Sequence, residues 1–538
     1  MHLLKKSLLK IFLLLALCHT ATTQKPKLIV VISYDQMRGD YVERWGNTWS
    51  KDGFLKIKNE GAYFKNCFFE HATNMTAPGH ATLLTGCYPA KTGIVANDFY
   101  EPSIDKIIYS CEDSTYGLSP RNMKTLALGD MLQSQSTKSK VFAIALKDRA
   151  AILMAGQRPT GAVWFDGDKG EFTTSKYYQR PAWLDEFNDA NPLMQYTGLT
   201  WTTAIPDSLA LFDAVKYEMD FPGGTNIFPH ALSKEPDSLL LEGYYYSPYS
   251  VHHLFQLANY TIEKETLGRD SITDILCIGV STTDIVGHGF GPDSRELQEL
   301  YIHCDRMLAE FIEYLDEVVG REHYQLVITS DHGVGPIPEV AAEPHHSRPG
   351  LDAGRLKGTN VKKAINDYLN QTFLKNKAEE NWIQAFYPPA IFLNISAVRT
   401  SMISQATIVD SLKSFITRQT GFGIAVAPLE LMGGKCPEPL DSAMCALIRN
   451  DIYPPRTGQI LFYPKPLWIY GSTPATHGTP YDYDRFVPMM FFGGGIAPQV
   501  REEKVSPADI APTLSRELDI EMRDVHGRVL KIGKSCKR

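Results

Sequence analysis

The chain has 538 residues, a length that suits one large α/β domain with insertions or two to three average domains. Hydrophobic residues make up 43% and charged residues 21% of it, which is typical of a globular protein and excludes a disordered one. The formal net charge of -7 argues against a general nucleic-acid binder, so we predict no nucleic-acid partner. An acidic chain can still bind an anionic substrate where a few cations or metal ions dominate the pocket.

The N-terminus has the residue order of a secretory signal peptide. Lysines precede the apolar run Ile11–Leu17, and small residues follow it as far as Thr23. The apolar run is too short to anchor the chain across a bilayer. We therefore predict that residues 1–23 form a signal peptide and that the protein is exported, to the periplasm or outside the cell, without a stable membrane span.

The chain contains nine cysteines, and export would permit disulfides between them. No C-x-x-C pair occurs, so a cysteine zinc site is not expected. Cys436 and Cys445 are close enough in the sequence to pair with each other.

Five short apolar runs predict the buried strands of a sheet. Each run is continuous rather than alternating, the pattern of strands that are buried on both faces. Helical patterns such as Glu296–Val319 lie between them. We therefore predict an α/β fold, a doubly wound and mostly parallel sheet with helices on both faces and an active site beyond the carboxyl ends of the strands. The runs are Lys27–Ser33, Val141–Leu146, Ile275–Ser281, Gln325–Thr329 and Pro488–Phe492.

Two stretches of the chain fit this sheet poorly. Residues 156–250 are rich in Trp, Tyr and Pro, and residues 336–466 mix helical patterns with Gly and Pro. We interpret both as insertions that cap the edge of the sheet or the active site. Because no linker separates an independent domain, we predict that residues 24–538 form one domain with these insertions.

Acidic residues and histidines recur just after the predicted strands. One such aspartate alone would be explained as a helix cap or turn residue, and one such histidine as a hydrogen-bonded structural residue. Together they suit Zn²⁺, whose ligands in proteins include imidazole nitrogens and carboxylate oxygens. Six ligands are too many for one tetrahedral zinc and about right for two open zinc sites. Two such metal ions can stabilise the attacking and the leaving oxygen during phosphoryl transfer. The six residues are Asp35, Asp284, His288, Asp331, His332 and His477.

Thr76 precedes Pro78 and several small residues, a pattern that predicts the first turn of a helix ending near Gly86. At such an N-terminus the helix dipole and free N–H groups favour negative charge, so a metal-bound threonine alkoxide there could attack phosphorus. An ordinary N-cap is the alternative explanation for Thr76. Thr73 and Thr82 compete with it as nucleophiles on composition alone.

Lys147 and Arg149 follow the second apolar run. In a strand-like segment they would share a face and could hold a phosphate dianion. The arginine would bind it through two N–H groups of its guanidinium, and the lysine would act as a point charge. A solvated surface is the alternative explanation. Asn97 by itself would be interpreted as a turn residue.

Several ordered motifs resemble the alkaline phosphatase superfamily, specifically its threonine-nucleophile, PafA-type bacterial monoesterases. The resemblance extends from about Lys27 to near Leu530. It includes YDQMRGDY (Tyr34–Tyr41), TAPGH (Thr76–His80), NDFY (Asn97–Tyr100), LKDRAAILMAG (Leu146–Gly156), STTDIVGHGFGPDS (Ser281–Ser294), SDHG (Ser330–Gly333), THGTPYDYD (Thr476–Asp484) and DIAPTLS (Asp509–Ser515).

The resemblance implies zinc-dependent hydrolysis of phosphate monoesters at alkaline pH through a phosphothreonine on Thr76. One zinc would bind Asp284, His288 and His477, and the other would bind Asp35, Asp331 and His332 next to Thr76. Phosphate oxygens would be bound by Asn97, Lys147 and Arg149. Every one of these positions is filled without substitution. His345-His346, in contrast, lies in a loop that does not align with the family, and it could perturb the rim of the site or form an adventitious metal site.

Three other functions stay open at this point. A nucleotide pyrophosphatase/phosphodiesterase of the same superfamily would share the metal ligands, Thr76 and Asn97, but would not be expected to have Lys147 and Arg149. A sulfatase would need a Cys-x-Pro-x-Arg motif, which the nucleophile region lacks. A catalytically silent zinc- or phosphate-binding surface protein would not need the complete set of nucleophile and metal ligands. The natural ester and the oligomeric state are not predicted.

Overall fold

The computed structural model describes residues 25–213, 215–344, 349–356, 358–374 and 380–533. The predicted signal peptide and His345-His346 lie outside the described residues. Within the described part of the chain, no helix has the length and apolar character needed to cross a bilayer.

A nine-stranded sheet forms the centre of the molecule. Its strands are β1 Leu28–Tyr34, β2 Ala62–Phe68, β3 Val141–Ala145, β4 Gly161–Asp166, β5 Glu171–Thr173, β6 Asp274–Val280, β7 Tyr324–Thr329, β8 Phe486–Gly493 and β9 Gln499–Val505. Their spatial order is β9-β2-β8-β7-β1-β6-β3-β4-β5. The neighbouring strands β4, β3, β6, β1 and β7 run parallel to one another. Strand β8 runs antiparallel to β7 and β2, and β5 runs antiparallel to β4.

The central strand β1 shows why its apolar run is continuous. Alternate side chains of a strand point to opposite faces of the sheet. Leu28, Val30 and Ile32 pack in one hydrophobic core, and Ile29 and Val31 pack in a second core on the other face. Both faces are therefore covered, and all seven residues of β1 are buried.

Helices cover both faces of the sheet. The longest helix among the described residues is Arg295–Val318, close to the predicted Glu296–Val319. The other α-helices that the structure describes outside the region 336–466 are Tyr41–Arg44, Phe54–Glu60, Thr76–Thr85, Pro89–Thr92, Leu128–Gln135, Asp148–Ala155, Leu184–Ala190, Ser238–Tyr245, Pro248–Glu265, Thr282–Phe290, Asp482–Arg485 and Ile510–Glu517.

Residues 336–466 contain a separate antiparallel sheet of four strands, in the spatial order Ile383–Tyr387, Ala390–Leu393, Ile460–Pro464 and Phe422–Val426. Its own hydrophobic core is formed with the helices Gly358–Phe373 and Gln405–Thr417. The segment also holds a disulfide between Cys436 and Cys445, the pair suggested by the sequence. The other α-helices in its described residues are Pro338–Ala342, Ile395–Ser401, Pro428–Met432 and Ser442–Arg449.

The sheet differs from the sequence prediction in two respects. The run Pro488–Phe492 is a strand, but it lies antiparallel to β7, because an apolar pattern carries no information on strand direction. Strands β4 and β5 lie within the stretch 156–250, which we interpreted as an insertion, and yet they belong to the central sheet. Aromatic residues such as Trp164 and Phe165 are buried in these strands or beside them and explain the composition that suggested an insertion. The division into one domain with two insertions stays a prediction.

Candidate active site

Adjacent parallel strands bring the predicted aspartates to one edge of the sheet. Asp35 directly follows β1, Asp284 lies in the helix after β6, and Asp331 follows β7 by two residues. Because β6, β1 and β7 are neighbours, the three carboxylates meet beyond their carboxyl ends. All three are buried.

Asp284 is the centre of a first group of possible metal ligands with His288 and His477. Its Oδ1 atom lies 3.2 Å from His288 Nε2 and 3.5 Å from His477 Nε2. Asp284 and His288 share one face of the helix Thr282–Phe290, as their spacing of four residues predicts.

His332 is the centre of a second group, in which its Nε2 atom lies 3.4 Å from Asp35 Oδ1 and 3.3 Å from Asp331 Oδ2. The donor atoms of Asp35, Asp284 and His332 are mutually close enough to hold one ion. Asp284 therefore stands between the two groups. Asp331 Oδ2 also lies 3.2 Å from His80 Nδ1, a partner that the sequence prediction did not include.

Each of the three histidines is oriented by a backbone carbonyl. The Nδ1 atoms of His288, His332 and His477 lie 2.7, 3.0 and 2.8 Å from the carbonyl oxygens of Ala475, Gly333 and Asn74. Nδ1 therefore carries a proton, and Nε2 is the ring nitrogen that faces the carboxylates. This is the arrangement in which proteins present histidine to a metal.

The charges in this cluster favour a divalent cation. Burial and the neighbouring Asp331 raise the pKa of Asp35 well above its usual range. Burial also raises the pKa of Asp284, but the charges of His288 and Lys147 outweigh it and hold that pKa well below the usual value. Asp35 Oδ1 has no hydrogen-bond partner among the residues that the structure describes. Three buried carboxylates and the imidazole nitrogens beside them form a donor set that fits Zn²⁺.

Burial lowers the pKa of His332 to about 3. The imidazole is therefore neutral at neutral and alkaline pH, the form that binds a metal.

Thr76 is the first residue of the helix Thr76–Thr85, and Met75 before it is the N-cap. Its hydroxyl is buried and lies 3.5 Å from His332 Nε2. It thus stands between the free N–H groups of the helix and the carboxylate cluster, where negative charge on oxygen is favoured. Asn97 lies beside it, because Asn97 Oδ1 accepts a hydrogen bond from the backbone N–H of Ala77 over 2.8 Å.

The two competing threonines are engaged elsewhere. Thr73 Oγ1 donates to Asp451 over 2.8 Å and lies 3.2 Å from the hydroxyl of Tyr463. Thr82 Oγ1 donates to the carbonyl oxygen of Pro78 within its own helix. Of the three, Thr76 is the one beside the carboxylates.

Lys147 and Arg149 do not lie on a strand, and this part of the sequence prediction is wrong. Strand β3 ends at Ala145, and Lys147 is the N-cap of the helix Asp148–Ala155. Lys147 Nζ nevertheless reaches the cluster, 2.8 Å from Asp35 Oδ2 and in contact with Asp284 Oδ2.

Arg149 lies in the first turn of the helix that Lys147 caps. Its Nη1 donates to the hydroxyl of Tyr109 over 3.4 Å, and that hydroxyl also bonds Asp148. Tyr109 thus contacts one of the predicted phosphate-binding side chains, which no local sequence signal indicated.

Asp484 is a second residue that sequence reasoning missed, although it stands in the THGTPYDYD motif. Its carboxylate accepts hydrogen bonds from the backbone N–H and the hydroxyl of Thr479, over 2.9 and 2.6 Å. Its backbone carbonyl accepts from Gly333 N over 2.7 Å. Asp484 therefore joins the loop of His477 to the loop of His332.

Comparison with known proteins places this geometry in a family. Residues 29–376 match the family model of type I phosphodiesterase / nucleotide pyrophosphatase, more than half of the chain. A protein of Myroides odoratus named calcium-transporting ATPase is 30% identical over 93% of this chain and 92% of its own. Alkaline phosphatase PhoV of Synechococcus elongatus is 30% identical over 93% of this chain and 91% of its own.

Alkaline phosphatase PafA of Elizabethkingia meningoseptica is 29% identical over 93% of each chain. The crystal structure of PafA superposes with a TM-score of 0.85 and covers 94% of this chain and 98% of that chain. A second PafA structure carries substitutions at a threonine, an asparagine, a lysine and an arginine. These matches confirm the fold class and the family resemblance expected from the sequence.

Proposed function

Because the chain belongs to the type I phosphodiesterase / nucleotide pyrophosphatase family and is similar along its length to alkaline phosphatases, we propose that it hydrolyses phosphate monoesters with Thr76 as nucleophile and two zinc ions as cofactors. The observation that carries the proposal is the buried Thr76 hydroxyl at a helix N-terminus, beside the Asp/His cluster that Lys147 also contacts. A merely structural threonine would not need these neighbours together.

Two sets of side chains would hold the zinc ions. Asp284, His288 and His477 would bind one, and Asp35, Asp331 and His332 would bind the other, next to Thr76. When bound, zinc supplies positive charge that lowers the pKa of oxygens facing it and neutralises charge on the leaving oxygen. Imidazole and carboxylate donors without thiolates are consistent with this metal.

Thr76 would form the covalent intermediate. As its Oγ bonds to phosphorus, the bond between phosphorus and the alcohol oxygen breaks. Thr76 releases its hydroxyl proton to solvent, and the departing alcohol oxygen takes up a proton from solvent. Water then attacks the phosphothreonine, which releases inorganic phosphate and restores the Thr76 hydroxyl. Positive charge at the helix N-terminus stabilises the alkoxide during the first step.

Asn97, Lys147 and Arg149 would bind the outward-facing phosphate oxygens. Because Asn97 Oδ1 accepts from Ala77 N, its NH₂ group is the part that can donate to substrate. Lys147 and Arg149 add two positive charges, which suit a monoester dianion. The same residue types, Thr, Asn, Lys and Arg, were changed together in the substituted PafA structure, which supports their assignment to one site.

A phosphodiesterase is the second candidate, because the family model that matches this chain is described by that activity. The pair Lys147 and Arg149 favours the monoesterase, since a diester carries one negative charge and needs less cationic balance. Export to the periplasm or outside the cell is part of the proposal and is supported by the charged, apolar and small residue order at the N-terminus.

Metal removal tests the cofactor requirement. Metal analysis of the purified protein should give near two zinc equivalents per chain, and a chelator should abolish hydrolysis of an aryl phosphate. Zinc should restore the activity, whereas Mg²⁺ at the same concentration should not, because it prefers oxygen ligands. Full activity in metal-free protein would contradict the proposal.

A further inference from the structure

Gln36, the residue after Asp35, has an unusual backbone conformation. Its φ angle is 68°, in the left-handed region of backbone conformation that residues with a Cβ atom rarely adopt. Such a conformation persists where the surrounding contacts hold it, and these positions cluster at functional sites. The Gln36 side chain is also buried, so its polar groups need partners inside the protein.

The side-chain NH₂ group and the backbone N–H of Gln36 find their partners in carboxylates of both proposed zinc sites, whereas Gln36 Oε1 has no hydrogen-bond partner among the described residues. Gln36 Nε2 donates to Asp284 Oδ1 over 2.6 Å, and the backbone N–H of Gln36 donates to Asp331 Oδ1 over 3.2 Å. An amide is neutral, so it can orient a carboxylate without adding a cation that competes with the metal. Lys147, in contrast, contacts the other oxygen of Asp284 as a full charge.

The opposite side of the Gln36 amide lies against a glycine. A Cβ atom at Gly287 would clash with Gln36 Oε1. Glycine is disfavoured inside a helix, yet Gly287 lies within the helix Thr282–Phe290, between Asp284 and His288. This face of the helix therefore has room for the Gln36 side chain beside the two proposed ligands.

We propose that Gln36 is a positioning residue that sets the zinc affinity of the site. Its left-handed backbone directs the N–H group to Asp331 while its side chain reaches Asp284, so one residue orients a carboxylate of each zinc site. The inference rests on the proposed function, which assigns these two aspartates to zinc. Removing a hydrogen-bond partner of a metal ligand typically lowers metal affinity by about 10- to 100-fold.

Gln36→Met tests this role, because methionine is similar in length and volume but donates no hydrogen bond. Gln325→Met is the matched control. Gln325 is also buried and donates through Nε2, to the carbonyl oxygen of Gly494 over 3.0 Å, but it lies near the start of β7, at the end remote from Asp331. Zinc affinity is measured by competition with a chelator, and the ligand geometry by the absorption spectrum of the Co²⁺-loaded protein.

Gln36→Met should weaken zinc binding by about 10- to 100-fold and change the Co²⁺ spectrum, whereas Gln325→Met should do neither. Wild-type zinc affinity and spectrum in Gln36→Met would overturn the inference, provided that the wild type binds two zinc ions. A wild type that binds no zinc would overturn the proposed function instead. Should Gln36→Met fail to fold, Gln36→Gly takes its place, because glycine suits a positive φ, and wild-type affinity in that variant would overturn the inference equally.

Discussion

His477 Nδ1 donates a hydrogen bond to the carbonyl oxygen of Asn74 over 2.8 Å, and Asn74 stands two residues before Thr76. The bond joins the loop before β8 to the segment that leads into the helix Thr76–Thr85. It fixes the proton on Nδ1, so that Nε2 faces Asp284. One proposed zinc ligand and the proposed nucleophile are therefore held by the same short segment.

Thr76→Val should abolish the covalent phosphoryl-enzyme and lower kcat at least about 10³-fold, because the attacking oxygen is lost while metals and bound water remain. The intermediate is measured by intact mass after an acid quench. Thr73→Val is the matched control, since it removes a buried hydroxyl that bonds Asp451 instead of facing the cluster. A phosphoryl-enzyme that persists in Thr76→Val but disappears in Thr73→Val would assign the nucleophile to Thr73.

Asp484→Asn should weaken zinc binding by about 10-fold, because this carboxylate orders the loop of His477 and its backbone orders the loop of His332. Asp305→Asn is the control. Asp305 is a buried carboxylate that accepts from the backbone N–H groups of Ser50 and Phe54, away from the cluster. Both variants should lose thermal stability. Equal zinc affinities in the two variants would show that Asp484 has only a structural role.

Much of the site was predictable from strand patterns. Continuous apolar runs located β1, β6 and β7, and parallel strands must bring the residues after them to one edge. Asp35, Asp284 and Asp331 therefore meet as expected, and the spacing of Asp284 and His288 fits the helix that contains them.

Features that depend on tertiary packing could not be predicted. Lys147 reaches Asp35 from a helix N-cap, because the strand before it ends earlier than its apolar run suggested. The left-handed backbone of Gln36 has no local sequence signal, since glutamine is not a residue that favours it. The bonds of Asp484 join two loops that the sequence separates by more than a hundred residues.

Glu218→Gln should stabilise the protein at alkaline pH. Burial, and then the charge of Glu296, raise the pKa of Glu218 to about 8. The folded state therefore holds this proton more tightly than the unfolded state, so stability falls as the pH rises from the unfolded pKa to about 8. Glutamine removes that loss, so it should raise Tm at pH 9 but not below pH 4. The gain in the free energy of unfolding at pH 9 should be roughly 1 kcal/mol after solvent screening. A Tm difference independent of pH would contradict this account.

The discrimination between monoesters and diesters depends on Lys147 and Arg149. A monoester carries two negative charges at alkaline pH and a diester carries one. Each charge-assisted hydrogen bond contributes roughly 1.5–3 kcal/mol, so the pair could contribute about 3–6 kcal/mol to the preference for the monoester over the diester. This corresponds to roughly two to four orders of magnitude in relative rate.

The most direct test is therefore kcat/KM for an aryl phosphate and for its methyl diester, measured in the zinc-loaded wild type and in Lys147→Ala/Arg149→Ala. Lys140→Ala is the control, because Lys140 precedes β3 at the end remote from the cluster and pairs with Glu265. The wild type and the control should prefer the monoester by roughly two to four orders of magnitude, and the double variant should lose most of that preference. A wild type that hydrolyses the diester as fast as the monoester, or equal losses for both esters in the double variant, would contradict the assignment as a phosphate monoesterase.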